Sequence, residues 1–322
     1  MAEAAVLSKT RGTPVSIEPV SVYLGAKVTG LDHRRPLEDV TIDALLAAHA
    51  EHGILTFPDQ NLTGEQLLAF GRQLGELTVH PFSTNDEETP ELIVYDNKEG
   101  NPPPRTDIWH TDEMFRAAPP MGSILSCKII PPHGAGDTAF ANMGAVYEGL
   151  SDRMQQHLSG LEAINDFLPF RILFPDTDDG HARLRRYEKL YPPRAHPVVR
   201  VHPVTGRKVV YVSAAFTRCI KGMDEDESKC LLDFLYARTQ IHEYHYRHRW
   251  EPGTMVFWDN RLVQHSAIHD YYPHRRLMER ITLKGTVPVG DAPAPNPDEV
   301  KGNRMPSLVE FGETRAKRHN ET

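Results

Sequence analysis

The sequence predicts a mainly β fold with helical decoration, a β-sandwich or jelly roll. Three observations carry that expectation. Short runs of Val, Ile, Leu and aromatic residues recur along the chain, bounded by Gly, Pro or polar turn residues. Helical periodicity is confined to a few segments between them. An apolar fraction of 39% over 322 residues allows a sizeable core to be buried, at a length that fits one or two domains.

Residues 15–30 (VSIEPVSVYLGAKVTG) read as two short strands with a glycine-containing break. From Thr41 to Glu51 the residues Ile42, Leu45 and Leu46 keep helical spacing, and Gly53 stands where a left-handed residue closes a helix. The strand Ile54-Leu55-Thr56-Phe57 follows. Thr63 with Gln66 forms a capping-box pattern, and Leu67, Phe70 and Leu74 continue one face of a second helix. Beyond Leu77, strands alternate with long polar loops at 83–91 and 97–107, the second placed to wall or lid whatever follows it. Strands are expected at 122–130 and 137–141, then helical segments marked by Val146, Leu150, Met154 and Leu158 with a break near Ser151. The stretch from Phe167 to Pro193 is charged, contains prolines and reads as the least regular internal region. Within it, 176–180 reads as a solvated turn rather than a calcium loop, because Tyr187 stands where the acidic twelfth ligand is required. Strands around 198–201 and 208–212 precede an acidic helix start at 224–227 with the apolar face Leu231, Phe234 and Leu235. Strands at 242–250, 255–258 and 277–283 complete a single domain over 15–289. A flexible N-terminus (1–14) and a Pro-rich, charged tail (290–322) flank it.

A net charge of −8 with both signs interspersed argues against a general nucleic-acid or membrane-surface binder. An anionic ligand must then be recognised by local arginines. Cys127, Cys219 and Cys230 are odd in number and lack CxxC spacing, which disfavours a disulfide framework or a zinc ribbon and fits a reducing cytoplasm. Cys127 reads as a small buried hydrophobe. No run of about 18 apolar residues occurs, so neither export nor a membrane span is expected.

The chemistry centres on Trp109-His110-Thr111-Asp112. On a β-strand, side chains two apart share a face, so His110 and Asp112 would converge while Thr111 turned away. His265, closing Trp258-Asp259-Asn260-Arg261-Leu262-Val263-Gln264-His265, is the candidate third ligand. Two His and one carboxylate on one face of an octahedron leave three positions open, the arrangement of non-haem Fe(II) oxygenases. Arg276 and Arg280 share a strand face at a separation of about 13 Å, from about 3.3 Å per residue. Interior guanidiniums are costly without anions. One could hold the distal carboxylate of a dicarboxylate co-substrate and the other an acidic group on the substrate. Pairing of either arginine with a core carboxylate is the plainer alternative. Among 17 histidines, His242, His245 and His248 do not all share a strand face and read as solvated surface.

The run WHTDEMFRAAPPMGSIL (109–125), GDT (136–138), HPVVRVHPVTGRK (196–208), WDNRLVQH (258–265) and the spacing from His265 to Arg276 and Arg280 together resemble the taurine dioxygenase family of Fe(II)/2-oxoglutarate-dependent enzymes, from about Ile17 to Val289. The resemblance implies a double-stranded β-helix (jelly roll) core. It implies Fe(II) on His110, Asp112 and His265, with 2-oxoglutarate and O2 as co-substrates. It further implies Thr138 and Arg276 on the distal carboxylate of 2-oxoglutarate, Arg280 on the substrate's sulfonate or carboxylate, and His80 and Phe216 against the substrate. Ser83 stands where a tyrosine is expected and Thr106 where an asparagine is expected, and these departures weigh against taurine itself. For His80, Phe216 and Thr138, the plainer readings are a structural histidine, core packing and a bond to backbone.

The activity implied is hydroxylation of a small sulfonate- or carboxylate-bearing substrate, with formation of succinate and CO2 and release of sulfite where the attacked carbon carries a sulfonate. The same iron chemistry used for oxidative decarboxylation, desaturation or cyclisation of an amino-acid-like substrate is the alternative. A non-catalytic, metal-retaining binder is a third. The expected partner is a small acidic molecule, with neither nucleic acid nor membrane, and the resemblance implies a homodimer or homotetramer.

Overall fold

The chain opens with an antiparallel hairpin of β1 (Ser16–Pro19) and β2 (Ala26–Thr29), whose register runs from Ser16↔Thr29 to Pro19↔Ala26. Helix α1 (Asp39–His52) ends at Gly53, whose φ of 69° is the left-handed conformation that closes the helix. The chain then enters β3 (Ile54–Phe57), buried along its whole length. Thr63 and Gln66 form the expected reciprocal capping box at the start of α2 (Gly64–Leu74). After β4 (Ile93–Asn97) and β5 (Gly122–Ile129) comes β6 (Thr138–Asn142), whose last residue caps α3 (Met143–Glu148). Ser151 caps α4 (Asp152–Leu158), which is the break expected there. The computed structural model describes residues 15–83, 87–103 and 106–293.

The second half contains β7 (Glu162–Asn165), α5 (Asp178–Leu190), β8 (Arg194–Pro197), β9 (Val199–Val201) and β10 (Lys208–Val210). It continues through β11 (Thr217–Ile220), α6 (Glu225–Thr239), β12 (His245–His248), β13 (Met255–Asp259), β14 (Val263–Ala267) and β15 (Arg276–Leu283). One sheet has the order β1-β2-β3-β13-β5-β15-β4 and a smaller one the order β12-β6-β14. One face of the large sheet packs on α1 and α2 through Leu45, Leu67, Phe70, Phe57, Ile124, Phe257 and Ile281. Its other face and the small sheet share a second core that includes Leu125, Cys127, Phe140, Trp258, Val263 and Met278. The fold is a sheet-rich jelly roll with helical decoration, as expected. β15 is therefore buried on both sides, and its Arg276, Met278 and Arg280 face the interior opposite Asn97, Tyr95 and Ile93 of β4.

Several expectations need correction. The stretch 167–193 is not irregular: it forms a 3₁₀ turn at Leu168–Leu173 and then the 13-residue α5, with Thr177 as its N-cap. The expected solvated turn at 176–180 is thus a helix start. Only Gly180 of α5 is buried, and its sequence is strongly polar on average, which hides the helix among charged residues. In α6 the buried positions are Ser228, Leu232, Leu235 and Thr239, while Phe234 is exposed, a rotation of the expected face. His248 is buried against Trp250 and His245 packs at a tilt against Trp109, 4.8 Å between ring centres, so these two histidines are packing residues rather than solvated surface. Residues 1–14 and most of the expected tail lie outside the described residues. Gly290 still bridges Arg200, and Asp291 pairs with Lys208 at 3.1 Å. Among the described residues no helix is long and apolar enough to cross a membrane.

Candidate active site

His110 and Asp112 do not sit on a continuous strand. His110 makes a single antiparallel bridge to His265, donating its N–H to the His265 carbonyl (3.0 Å) and accepting the His265 N–H (2.8 Å). The chain then turns. Thr111 donates its hydroxyl to the carbonyl of Val263 at 2.7 Å, and Glu113 adopts a left-handed φ of 50°. The turn, rather than the two-residue repeat of a strand, swings Asp112 onto the side of the two histidines. One potential ligand atom from each of His110, Asp112 and His265 lies within 4.8 Å of the others, and this is the one such group among the described residues.

The second contacts of each residue suit it to a metal. The ring Nδ1 of His110 faces the carbonyl of Ile108 at 2.7 Å, so Nδ1 carries the hydrogen and Nε2 keeps its lone pair. His265 Nε2 is 3.8 Å from Asp112 Oδ1, with its ring against Trp258 and Phe140. Burial, reinforced by His110, pushes the His265 imidazole down to about 3, and burial also lowers His110, so both rings are neutral donors at ordinary pH. Burial alone would raise Asp112, but Arg280, then His265 and His110, more than offset it and hold the carboxyl below the usual carboxylate range. Two neutral imidazoles and one anion form a donor set that fits Fe(II).

His110 and His265 border a cavity of about 580 Å³ whose lining also includes Thr106, Thr138, Tyr95, Arg276 and Arg280. The chain matches the family described as "Taurine catabolism dioxygenase TauD, TfdA family" over residues 16–282. It belongs to that family. A relative from Pseudomonas putida named alpha-ketoglutarate-dependent sulfate ester dioxygenase is 33% identical over 297 residues, covering 90% of this chain and 96% of the relative. The alpha-ketoglutarate-dependent sulfonate dioxygenase of Saccharomyces cerevisiae is 32% identical over 291 residues, covering 86% of this chain and 68% of that one. A crystal structure of a putative alpha-ketoglutarate-dependent taurine dioxygenase from Burkholderia xenovorans superposes with a TM-score of 0.74 at 34% identity, over 86% of this chain and 95% of that one. With the family comes the enzyme class, a dioxygenase dependent on Fe(II), 2-oxoglutarate and O2.

In this taurine-dioxygenase-family cavity the two arginines differ. Arg276 has no carboxylate within ion-pair distance among the described residues. Its Nε is buried without a hydrogen-bond partner, and its guanidinium carbon is 5.8 Å from the Tyr271 ring centre. Burial lowers its proton affinity. Arg280 donates from Nη1 to Asp112 Oδ1 at 3.2 Å, and its Nη2 is 3.9 Å from Glu113 Oε1. Thr138 accepts the indole N–H of Trp250 at 3.0 Å, which leaves its own hydroxyl hydrogen available to the cavity.

Of the remaining expected substrate residues, Thr106 is part of that lining, and His80, Ser83 and Phe216 lie apart from it. Phe216 is buried in an aromatic cluster with Phe115 and Phe167, its ring 6.4 Å from that of His110 and 6.1 Å from Phe170. His80 is buried, and burial pushes its imidazole down to about 3. Its Nδ1 accepts the backbone N–H of Phe82 at 3.2 Å and faces the Ser83 hydroxyl at 2.9 Å. Thr106 reaches His269 Nε2 at 3.1 Å. Arg171 is tied to Glu188 (2.9 Å) and Asp166 (3.6 Å), which fastens the 3₁₀ turn to α5.

Sequence reasoning missed Trp250 and Phe170. A buried tryptophan requires an acceptor for its N–H, a signal that named no partner. Phe170 stacks on Phe82 at 4.6 Å and meets His80 at 5.3 Å. It lies in the segment read as irregular.

Proposed function

We propose that this enzyme oxidises a small molecule bearing one anionic head, a sulfate ester, sulfonate or carboxylate, on an apolar body. The observation that carries the reading is Arg276, whose guanidinium has no carboxylate partner among the described residues and lines the same cavity as His110 and His265 of the two-histidine, one-carboxylate cluster. A buried cation is retained at such a cost where an anion arrives to meet it.

His110, Asp112 and His265 would hold Fe(II). Arg276 and Thr138 would bind the far carboxylate of 2-oxoglutarate, with Trp250 orienting the threonine hydroxyl. Arg280 would take the anionic head of the substrate, sharing its guanidinium with Asp112. His80 and Phe216, with Phe115 and Phe170 of the same aromatic cluster, would hold the apolar body. When bound, Fe(II) supplies the oxidising chemistry: O2 is reduced at the expense of 2-oxoglutarate, which leaves as succinate and CO2, and one oxygen atom is inserted into a substrate C–H bond. A hydroxylated carbon that carries a sulfate or sulfonate then releases the sulfur oxoanion and becomes a carbonyl. The relatives named for sulfate esters and sulfonates support this choice of head group.

The test is anaerobic titration of Fe(II) and 2-oxoglutarate into the purified protein, following the visible absorption of the chelate, and then addition of alkyl sulfates, sulfonates and carboxylates. A band that shifts with one of these classes supports the reading. Absence of a band with both components in excess overturns it.

A further inference from the structure

Resting on the reading that His110, Asp112 and His265 hold Fe(II), we propose that Ser123 and Asn260 are positioning residues that choose which oxygen of Asp112 meets the metal. Both are buried, Ser123 on β5 and Asn260 in the turn after β13. Their hydrogen bonds form one chain whose direction is forced. The indole N–H of Trp258 and the backbone N–H of Asp112 can only donate, and both point at Asn260 Oδ1, at 3.0 and 3.4 Å. The amide oxygen is thereby placed, so Asn260 Nδ2 donates to Ser123 Oγ at 3.3 Å. With its oxygen receiving that hydrogen, the Ser123 hydroxyl directs its own to Asp112 Oδ2 at 2.7 Å.

Asp112 Oδ2 is thus occupied on the protein side. Oδ1, which accepts from Arg280 Nη1 at 3.2 Å, is the oxygen that faces His265 Nε2, at 3.8 Å. Without the Ser123 hydroxyl the carboxylate could rotate about its last bond, or turn both oxygens to one cation, and a buried polar oxygen would lose its partner. Outer contacts of this kind typically contribute about 10- to 100-fold in metal affinity.

The experiment compares wild type, Ser123→Ala and Ser123→Thr by anaerobic equilibrium dialysis against Fe(II), with melting of the metal-free proteins measured alongside. Ala is expected to weaken Fe(II) binding about 10- to 100-fold, and Thr, which keeps the hydroxyl, to stay within about threefold of wild type. Ala binding as tightly as wild type overturns the assignment. So does a folded Thr variant that loses as much affinity as Ala, since packing would then be the cause. Should Thr fail to fold, a crystal structure of the wild type loaded with Fe(II) decides. Oδ2 retained on Ser123 with Oδ1 on the ion supports the assignment, and a carboxylate turned away from Ser123 overturns it. A wild type that binds no Fe(II) at all overturns the triad's role, and this assignment with it.

Discussion

Replacing Arg276 with leucine separates a binding residue from a structural one. Leucine occupies the stem's volume without the charge. The guanidinium has no ion-pair partner among the described residues and a buried Nε without an acceptor, so the folded protein loses with it only the approach to the Tyr271 ring, at 5.8 Å. Thermal stability should be unchanged or higher by about 1 kcal/mol, because a partly desolvated cation is removed. The affinity for 2-oxoglutarate should collapse. Charge-assisted hydrogen bonds contribute about 1.5–3 kcal/mol each. A bidentate pair therefore accounts for about 3–6 kcal/mol, or roughly 100- to 20,000-fold in Kd. Arg275 offers no substitute, since it is engaged with Asp96 at 2.8 and 2.9 Å and neighbouring strand residues face opposite ways. The assay is anaerobic titration of the Fe(II) protein with 2-oxoglutarate, with melting of the metal-free variant as the companion measurement. A 2-oxoglutarate affinity within threefold of wild type would refute the reasoning, as would a loss of more than about 2 kcal/mol of stability, which would make Arg276 a structural residue.

Asp112→Ala removes the one anionic donor, and it should abolish both Fe(II) binding in dialysis and substrate-coupled succinate formation; full succinate production would exclude the triad. Phe170→Ala opens the aromatic wall beside His80 and should raise KM for substrates with apolar bodies about tenfold while leaving the absorption of the Fe(II)–2-oxoglutarate chelate unchanged, as steady-state kinetics and the anaerobic titration would show. His33 is buried between Phe57 and Phe70 with Nδ1 on Gln60, and burial lowers its imidazole from 6.5 to about 4. The unfolded chain therefore takes up the proton first as pH falls, so the stability this neutral histidine contributes is complete above pH 6.5 and is lost as pH falls toward 4. Between pH 7 and 5 it should cost about 2 kcal/mol in denaturant unfolding, and His33→Gln should lose less stability than wild type over that range by this amount, the other buried histidines keeping their own share.

The parts of the site that were legible in the sequence are those whose chemistry is local. The pair His110 and Asp112, the block ending at His265, and the two arginines on one strand face each announce themselves by residue type and spacing. The capping box at Thr63 and the closing Gly53 are likewise local, and α1 and α2 follow from them. What stayed hidden depends on tertiary partners. Strand β14, which carries His265, has the sequence VQHSA and is buried except at its last residue, so no alternation marks it. Helix α5 lays Leu184 and Tyr187 on an aromatic cluster, yet its polar sequence mimics a solvated loop. The His-x-Asp pair was recognisable although its assumed strand geometry was wrong: a turn after a one-residue bridge serves the same convergence. Ser123 and Asn260 stood in view within the recognisable runs. Only their distances show that they end on the same carboxylate.

The charges around the cavity also bear on the substrate. Among the described residues Asp112 is answered by Arg280, and Glu113 by Arg116 at 2.6 Å, which leaves Arg276 as the excess positive charge of that set. Fe(II) adds two positive charges and the 2-oxoglutarate dianion removes two, so the loaded site still carries one in excess. In a cavity walled partly by aromatic rings and poorly screened, that residue of charge favours a substrate with one negative charge and no compensating cation. A sulfate monoester, an alkylsulfonate or a monocarboxylate closes the balance. A zwitterion such as an aminosulfonate does not, and it would need an acceptor for its ammonium group. The hydroxyls of Ser83 and Thr106 already face His80 and His269, and the aromatic cluster around Phe216 and Phe170 offers rings in place of carboxylates. On the proposed reading, this charge and the neighbouring aromatic cluster favour the same kind of substrate, an anionic head for arginine and an uncharged body for rings.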